Sequence, residues 1–183
     1  MNGYLGILGA SVTTFALTNM DDACLLTVLF AQRIPARRII AGQYLGFAVI
    51  VVVSLLGAFA ALAFPDRWVR LLGVVPITLG VRHLLKHRGA VPRSGSAIGA
   101  AYVALITLSN GAENIGLYVP FFIVGRAYLW LILVAYALLI ALWCFVSKFI
   151  GSHSLVLGVA DRWAQRVTPI VFIGFGLVIL FRR

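Results

Sequence analysis

Acidic side chains are scarce in this sequence. Only 5 Asp and Glu stand against 15 Lys and Arg, and charged residues make up 11% of the 183 residues. A soluble globular domain is about a quarter charged and about half apolar, whereas this chain is 62% hydrophobic. The composition excludes a soluble domain and predicts an integral membrane protein. Because the cations fall in loops between apolar segments, the net charge of +10 indicates topology and not a nucleic-acid partner.

Cysteine, histidine and catalytic motifs are also sparse. Cys24 and Cys144 both fall in apolar segments, where we expect buried thiols and no disulfide. His83 and His87 have the i, i+4 spacing of a metal pair, but their basic neighbours indicate a solvated helix end. No phosphate loop, H-E-x-x-H motif or nucleophile elbow is present, which leaves gradient-driven transport or a function other than transport. The N-terminus lacks the basic region of a cleavable signal peptide, so we expect a genuine first helix.

The hydrophobic pattern predicts an all-α polytopic membrane protein with six transmembrane helices. A helix needs about 20 apolar residues to cross the hydrocarbon core, so six spans and short loops make residues 1–183 a single transmembrane domain. The predicted spans are Leu5–Phe30, Gly42–Ala63, Val69–Leu85, Ile98–Val124, Tyr128–Ile150 and Thr168–Phe181.

The two halves of the chain carry matching anchors, which predicts a repeat of residues 1–90 in residues 91–183. The anchors recur at a near-constant offset: the Asp-Arg-Trp triplets at 66–68 and 161–163, the prolines Pro76 and Pro169, and the pairs Asn19/Asp22 and Asn110/Glu113. Three helices per half is an odd number, so the second half must enter the membrane from the opposite side. The sequence therefore predicts two inverted three-helix repeats, an architecture common in secondary transporters.

Loop charge predicts the orientation. The loops after helices one, three and five carry ten of the 15 Lys and Arg, and positive loops face the cytoplasm. We expect a plasma-membrane protein with both termini outside the cytoplasm.

Three of the five acidic residues lie inside apolar stretches: Asp21 and Asp22 in the first, Glu113 in the fourth. A carboxylate at the centre of a membrane helix costs about 2.5–3.5 kcal/mol on insertion scales, which makes each a functional-site candidate. Amides and hydroxyls that can share a ligand stand beside them: Thr18, Asn19, Ser109, Asn110 and Asn114. The structural alternative is that these groups only hold the helices together by hydrogen bonds.

Helical spacing predicts how these side chains are arranged. Asn19 and Asp22 share one face, as do Asn110, Glu113 and Asn114, whereas Asp21 points about 100° away from Asp22. Glycines at 111 and 116 bracket the acid of the fourth span, where we expect local unwinding that frees carbonyl oxygens.

The types of candidate ligand atom predict which cations the site would bind. Carboxylate, amide and hydroxyl oxygens suit Mn²⁺, Mg²⁺ or Ca²⁺, and Cys24 is the only soft ligand nearby in sequence. A carboxyl that releases a proton when a cation binds would supply the coupling. Gly42 and Gly46 predict close helix packing, and Gln43 between them is expected to reach the vestibule of the site.

Four stretches carry a family resemblance: Thr18-Asn19-Met20-Asp21-Asp22, GQYLGF at 42–47, LGVVPITLG at 72–80 and GAENIGLYVP at 111–120. In them the chain resembles the cadmium resistance transporter family of the lysine-exporter superfamily. The resemblance implies a six-helix exporter of a divalent cation, with Cd²⁺ the namesake substrate. It also implies ion-pathway roles for Asp21, Asp22 and Glu113, with Asn19, Asn110 and Asn114 in support. Here Glu113 replaces a more usual Asp, and Asn110 stands where some members have cysteine.

Together these observations predict a secondary exporter of divalent heavy-metal cations that is proton-coupled and not an enzyme. Its partners would be the transported cation (Cd²⁺, Zn²⁺ or Mn²⁺), protons and the bilayer, with no bound cofactor and with homo-oligomerisation left open. The predicted cation ligands are Asp22, Glu113, Asp21, Asn19, Asn110 and Asn114, supported by Thr18, Ser109, Gln43 and Pro76. Two alternatives stay open: export of a small organic cation or amino acid along a wall of Tyr44, Tyr118 and Phe121, and a membrane-embedded enzyme.

Overall fold

The computed structural model of the chain describes residues 2–31, 34–63 and 99–150, with isolated positions between 71 and 81 and between 170 and 181. Over these residues the backbone forms α-helices and short 3₁₀ turns and contains no strand, as predicted. The predicted third and sixth spans, Pro76, the Asp-Arg-Trp triplets and the three histidines lie outside the described residues, apart from isolated helical positions in the two spans.

Six helices make up the described part of the chain. They are α1 (Asn2–Thr18), α2 (Met20–Ala31), α3 (Ala36–Ala61), α4 (Ala100–Gly111), α5 (Ile115–Val124) and α6 (Leu129–Ile150). α3 and α6 correspond to the predicted second and fifth spans. Both are long and apolar enough to cross a membrane, and α1 with α2 would make a third span if the bent pair is one.

The prediction of one continuous first helix is wrong, because the chain bends by 59° between α1 and α2. Thr18 Oγ1 donates to the carbonyl of Thr14, and Asn19 Nδ2 donates to the carbonyl of Phe15, each one turn back. Side chains that bond to carbonyls of the preceding turn commonly bend helices. We call residues 18–20 the first break.

The predicted fourth span is also interrupted at the position that the sequence predicted, but by a tighter turn and not by the unwinding that was expected. A 3₁₀ turn, Ala112–Asn114, separates α4 from α5 and contains Glu113. A 3₁₀ stretch inside a helix winds more tightly than the α-helix and often marks a hinge. We call residues 111–114 the second break.

Contacts along α1, α2 and α6 show that these helices run in the same direction. Tyr4 packs edge-on against Tyr128, just before α6, with ring centroids 5.0 Å apart. Further along, Trp143 Nε1 donates to the backbone oxygen of Asn19 at 2.7 Å, and Ser147 donates to that of Ala23 at 3.2 Å. α1 and α2 therefore run in the same direction as α6, as alternate spans of an up-and-down bundle must.

α3 runs parallel to α4 and α5 across a seam of glycines. A Cβ on Gly42 would lie 2.5 Å from the Ala100 oxygen and from Val103 Cβ, and one on Gly46 would lie 2.7 Å from Thr107 Cβ. Such approaches are open only to glycine, so the predicted close packing at this pair is confirmed. The seam brings Gln43 next to Thr107.

An aromatic cluster fills the space between the two parallel sets. Its members are Phe15, Phe47, Tyr118, Phe122, Tyr136 and Trp143. Phe15 contacts Phe47 at 5.5 Å and Tyr136 at 5.6 Å, measured between ring centroids. Large apolar side chains such as Leu138 and Phe145 lie exposed on the outer face of α6, as a lipid-facing surface requires.

Candidate functional site

Asp22 is the buried carboxylate of the structure. Its side chain is only 1% exposed, and it lies in the first turns of α2 directly after the first break. Gln43 of α3 donates from Nε2 to Asp22 Oδ2 at 3.4 Å, and Thr107 of α4 donates to Gln43 Oε1 at 2.7 Å. Because the threonine hydroxyl bonds to the glutamine oxygen, the glutamine amide nitrogen faces the carboxylate. Three helices thus meet at this acid.

Asn19 occupies the first break and is fully buried. Its Nδ2 lies 2.8 Å from Thr18 Oγ1 and 2.8 Å from Tyr118 Oη, and these two hydroxyls lie 2.8 Å from each other. We call this arrangement the Thr18–Asn19–Tyr118 triangle. It ties the first break to α5, and the bond from Trp143 to the Asn19 backbone oxygen ties it to α6.

Three buried polar atoms make no hydrogen bond with any residue that the structure describes. They are Asn19 Oδ1, Asn114 Nδ2 and Tyr136 Oη. A buried polar atom left without a partner costs about 1–3 kcal/mol, so each asks for an explanation. Asn19 Oδ1 is an amide carbonyl oxygen one helical turn before Asp22, and on the same helix face. Such an oxygen is a ligand for a hard or borderline cation.

The two helix breaks lie side by side. Tyr118, one turn after the second break, contacts the residues of the first break, while Thr107, one turn before the second break, connects through Gln43 to Asp22. From residue 19 to residue 22 the sequence number rises along the first broken helix, while the residues that it connects to on the second fall from 118 to 107. The two broken helices therefore run antiparallel, and their polar interruptions share one level.

The remaining predicted residues fall into three groups. Thr18 and Asn114 are buried at the two breaks, Gln43 is buried on α3 beside Asp22, and Glu113 is half-buried in the 3₁₀ turn. Ser109 lies on the exposed face of α4, away from these buried groups. The side chains of Asp21 and Asn110 lie outside what the structure describes, although their backbones belong to α2 and α4. The described residues hold no cluster of three His, Cys, Asp or Glu, so amides and hydroxyls would complete any cation site.

Sequence reasoning did not place Thr107 or Cys144 at the site, and it named Tyr118 only as a wall residue of the organic-cation alternative. The signal for Tyr118 was its position one turn after Asn114 on the same helix face. Cys144 is buried on α6 between Trp143 and Ser147, which donate to the backbone oxygens of Asn19 and Ala23 on either side of Asp22. Cys24 is therefore not the only soft ligand near this acid.

The long apolar helices, the lipid-type outer face and the polar breaks define a helical membrane protein. The sequence profile of the cadmium resistance transporter family matches residues 15–183, so the chain belongs to that family. The match covers both breaks and confirms the resemblance seen in the sequence. No curated protein and no solved structure matches the chain. Membership of a transporter family agrees with the prediction of a transporter rather than an enzyme.

Proposed function

We propose that this protein exports a divalent heavy-metal cation of the Cd²⁺ type across the plasma membrane in exchange for protons. The observation that carries the proposal is a carboxylate, Asp22, buried at a helix break and bonded to the neutral amide of Gln43. A carboxylate at membrane depth is stabilised by a proton or by a bound cation. Alternation between these two forms couples metal movement to proton movement.

The position of the breaks supports alternating access. Secondary transporters with inverted repeats place their ion sites at interrupted helices near the bilayer midplane, where backbone and side-chain oxygens are freed for coordination. Here the two breaks run antiparallel and share one level. In this proposal the two halves of the chain rock about the shared site, and both termini face outward.

Each residue has a proposed role. Asp22 and Glu113 supply carboxylate ligands from the two breaks, and Asn19 supplies an amide oxygen. Asn110 and Asn114 complete the coordination from the second break. Asp21 tunes the local charge or carries a second proton. The half-buried position of Glu113 makes it the more accessible of the two carboxylates, the one that water reaches first.

The test is metal flux into proteoliposomes under an imposed pH gradient. Asp22→Asn and Glu113→Gln keep shape and remove charge, while Asp161→Asn removes an acid outside the predicted spans and serves as the control. We expect Asp22→Asn to lower Cd²⁺ flux at least about 100-fold, Glu113→Gln to lower it less, and the control to keep it. Undiminished flux in both site variants would refute the site.

A competition series separates the transport alternatives. Zn²⁺ and Mn²⁺ should compete with Cd²⁺ for the wild-type carrier, whereas amino acids and organic amines should not. Competition by an amine at concentrations comparable with the metal would favour the organic-cation alternative and overturn the metal assignment.

A further inference from the structure

We propose that Tyr118 is a positioning residue for metal binding, because its hydroxyl fixes the orientation of the Asn19 amide and so aims Asn19 Oδ1 at the cation. The inference rests on the proposed function and adds a specific ligand and the residue that holds it. Tyr118 is fully buried, and its hydroxyl lies 2.8 Å from both Asn19 Nδ2 and Thr18 Oγ1.

The hydrogen-bond donors of the triangle can be assigned to acceptors one by one. The carbonyl of Phe15 can only accept, so the Asn19 atom 2.9 Å from it must be the nitrogen. The amide nitrogen can only donate, so Tyr118 Oη accepts from it. The Tyr118 hydroxyl is then able to donate to Thr18 Oγ1, 2.8 Å away. Thr18 in turn donates to the carbonyl of Thr14 at 2.9 Å. Every hydrogen in this set has an acceptor.

The same assignment leaves one acceptor without a donor. Asn19 Oδ1 is buried and makes no hydrogen bond with any part of the chain that the structure describes. It is the other branch of the amide from the nitrogen that bonds within the triangle, and Asn19 precedes Asp22 by one turn, across which the Ala23 N–H donates to the Asn19 backbone oxygen at 3.1 Å. An oxygen held in this way is organised for a cation, and a bound cation would remove the cost of leaving it unbonded.

Loss of the Tyr118 hydroxyl would remove the hydrogen bond that ties the amide nitrogen to α5 and leave it held only within its own helix, by the Phe15 carbonyl and Thr18 Oγ1. An amide with this weaker hold rotates more readily, and rotation by half a turn would present N–H donors to the cation in place of an oxygen. Partners that orient metal ligands in this way typically change metal affinity by about 10–100-fold when removed. The expected effect is therefore on affinity and not on the rate at saturating metal.

Tyr136 provides a matched control within the same aromatic cluster. It is 1% exposed and packs against Tyr118 with ring centroids 5.1 Å apart. Its hydroxyl, unlike that of Tyr118, makes no hydrogen bond with the described residues. Tyr136→Phe removes a tyrosine hydroxyl from the same aromatic cluster and leaves the hydrogen bonds of the triangle in place.

The experiment compares Tyr118→Phe, Tyr136→Phe and wild type in proteoliposomes, with Cd²⁺ concentration varied under a fixed pH gradient. We expect Tyr118→Phe to raise the half-saturating Cd²⁺ concentration by about 10-fold or more while the maximal rate stays within about twofold. Tyr136→Phe should leave both unchanged. Metal-induced thermal stabilisation of the purified protein in detergent should need correspondingly more Cd²⁺ in Tyr118→Phe alone.

Equal half-saturation in the two phenylalanine variants, or loss of maximal rate alone in Tyr118→Phe, would overturn the inference. If Tyr118→Phe does not fold, Thr18→Val removes the acceptor of the tyrosine proton and is expected to move affinity in the same direction. Wild-type protein that carries no metal would refute the proposed function itself. Wild-type transport with unaltered affinity in Tyr118→Phe and Thr18→Val would refute only the role of Tyr118.

Discussion

The two helix breaks carry related sequences but are held very differently. The first is cross-linked, because Asn19 bonds through its side chain to Tyr118 of α5 and through its backbone oxygen to Trp143 of α6. The second is a 3₁₀ turn in which Glu113 is half-buried and the buried amide nitrogen of Asn114 makes no hydrogen bond with the described residues. The first break is thus cross-linked to two other helices, whereas the described residues show no such bond from the amide nitrogen of the second.

The proposed alternating access would require a difference of this kind between the two repeats. Two inverted repeats that share a sequence must adopt different conformations at any moment, so that one face of the membrane is closed while the other is open. The first break bonds to two other helices and the amide nitrogen of Asn114 in the second has no described hydrogen bond, which is such an asymmetry. We expect the second break to move more during transport.

The largest expected contrast comes from replacing the two buried asparagines. Asn19→Leu leaves the hydroxyl of Tyr118 and the carbonyl of Phe15 with fewer partners, and each loss costs about 1–3 kcal/mol. We expect it to lower the free energy of unfolding by at least about 2 kcal/mol. Asn114→Leu removes an amide whose nitrogen makes no hydrogen bond with the described residues, so it should cost less stability than Asn19→Leu, yet weaken metal binding. Thermal or denaturant unfolding in detergent measures the first effect and Cd²⁺ titration the second.

Equal destabilisation by Asn19→Leu and Asn114→Leu would contradict the distinction between a fixed and a loose break. It would indicate that Asn114 has partners in the part of the chain outside the described residues.

A smaller effect is expected from the glycine seam that places Gln43. A methyl group at Gly46 would overlap Thr107, and overpacking of this kind costs about 1–3 kcal/mol. Gly46→Ala should therefore lower the unfolding midpoint and weaken Cd²⁺ binding. Gly9→Ala is the control, since nothing lies within 4 Å of its added methyl, and alanine in a helix is favoured over glycine by about 0.5–1 kcal/mol. A control as damaging as Gly46→Ala would refute the role of the seam.

The smallest expected effect comes from Thr107→Val, which keeps shape and removes the hydroxyl that orients Gln43. The contact it supports is long, at 3.4 Å from Gln43 Nε2 to Asp22 Oδ2. A neutral hydrogen bond contributes about 1 kcal/mol, so we expect the half-saturating Cd²⁺ concentration to rise about fivefold. Thr27→Val is the matched control, because the hydroxyl of Thr27 bonds within its own helix, to the carbonyl of Ala23, and to no other residue that the structure describes. An equal rise in both variants would show that the effect is not specific to Asp22.

Much of the fold follows from local pattern. The long apolar runs predicted α3 and α6, the glycine pair predicted the α3–α4 seam, and the glycines around Glu113 predicted the second break. Each of these depends on residues close in sequence. The first break could not be predicted in this way, because Thr18 and Asn19 are held in their bent geometry by Tyr118 and Trp143, about a hundred residues away.

The sequence pointed to Asp22 as a buried acid, but it did not predict the hydrogen bonds that connect the candidate site to other helices. Burial of Asp22, Asn19 and Asn114 follows from polar residues placed in apolar helices. The position of Ser109 does not follow, since four-residue spacing would put it on the face of Glu113 in a continuous helix, whereas the 3₁₀ turn changes the winding between them. The bonds from Thr107 and Tyr118 depend on how α4 and α5 pack against α2 and α3.

The central claim is that Asp22 exchanges a proton for a metal cation. The most direct measurement is proton movement driven by a Cd²⁺ gradient in proteoliposomes, followed with a trapped pH-sensitive dye and with no pH gradient at the start. We predict a Cd²⁺-dependent pH change inside vesicles with the wild-type protein and none above the protein-free background with Asp22→Asn. A pH change of equal size in both proteins would contradict the account.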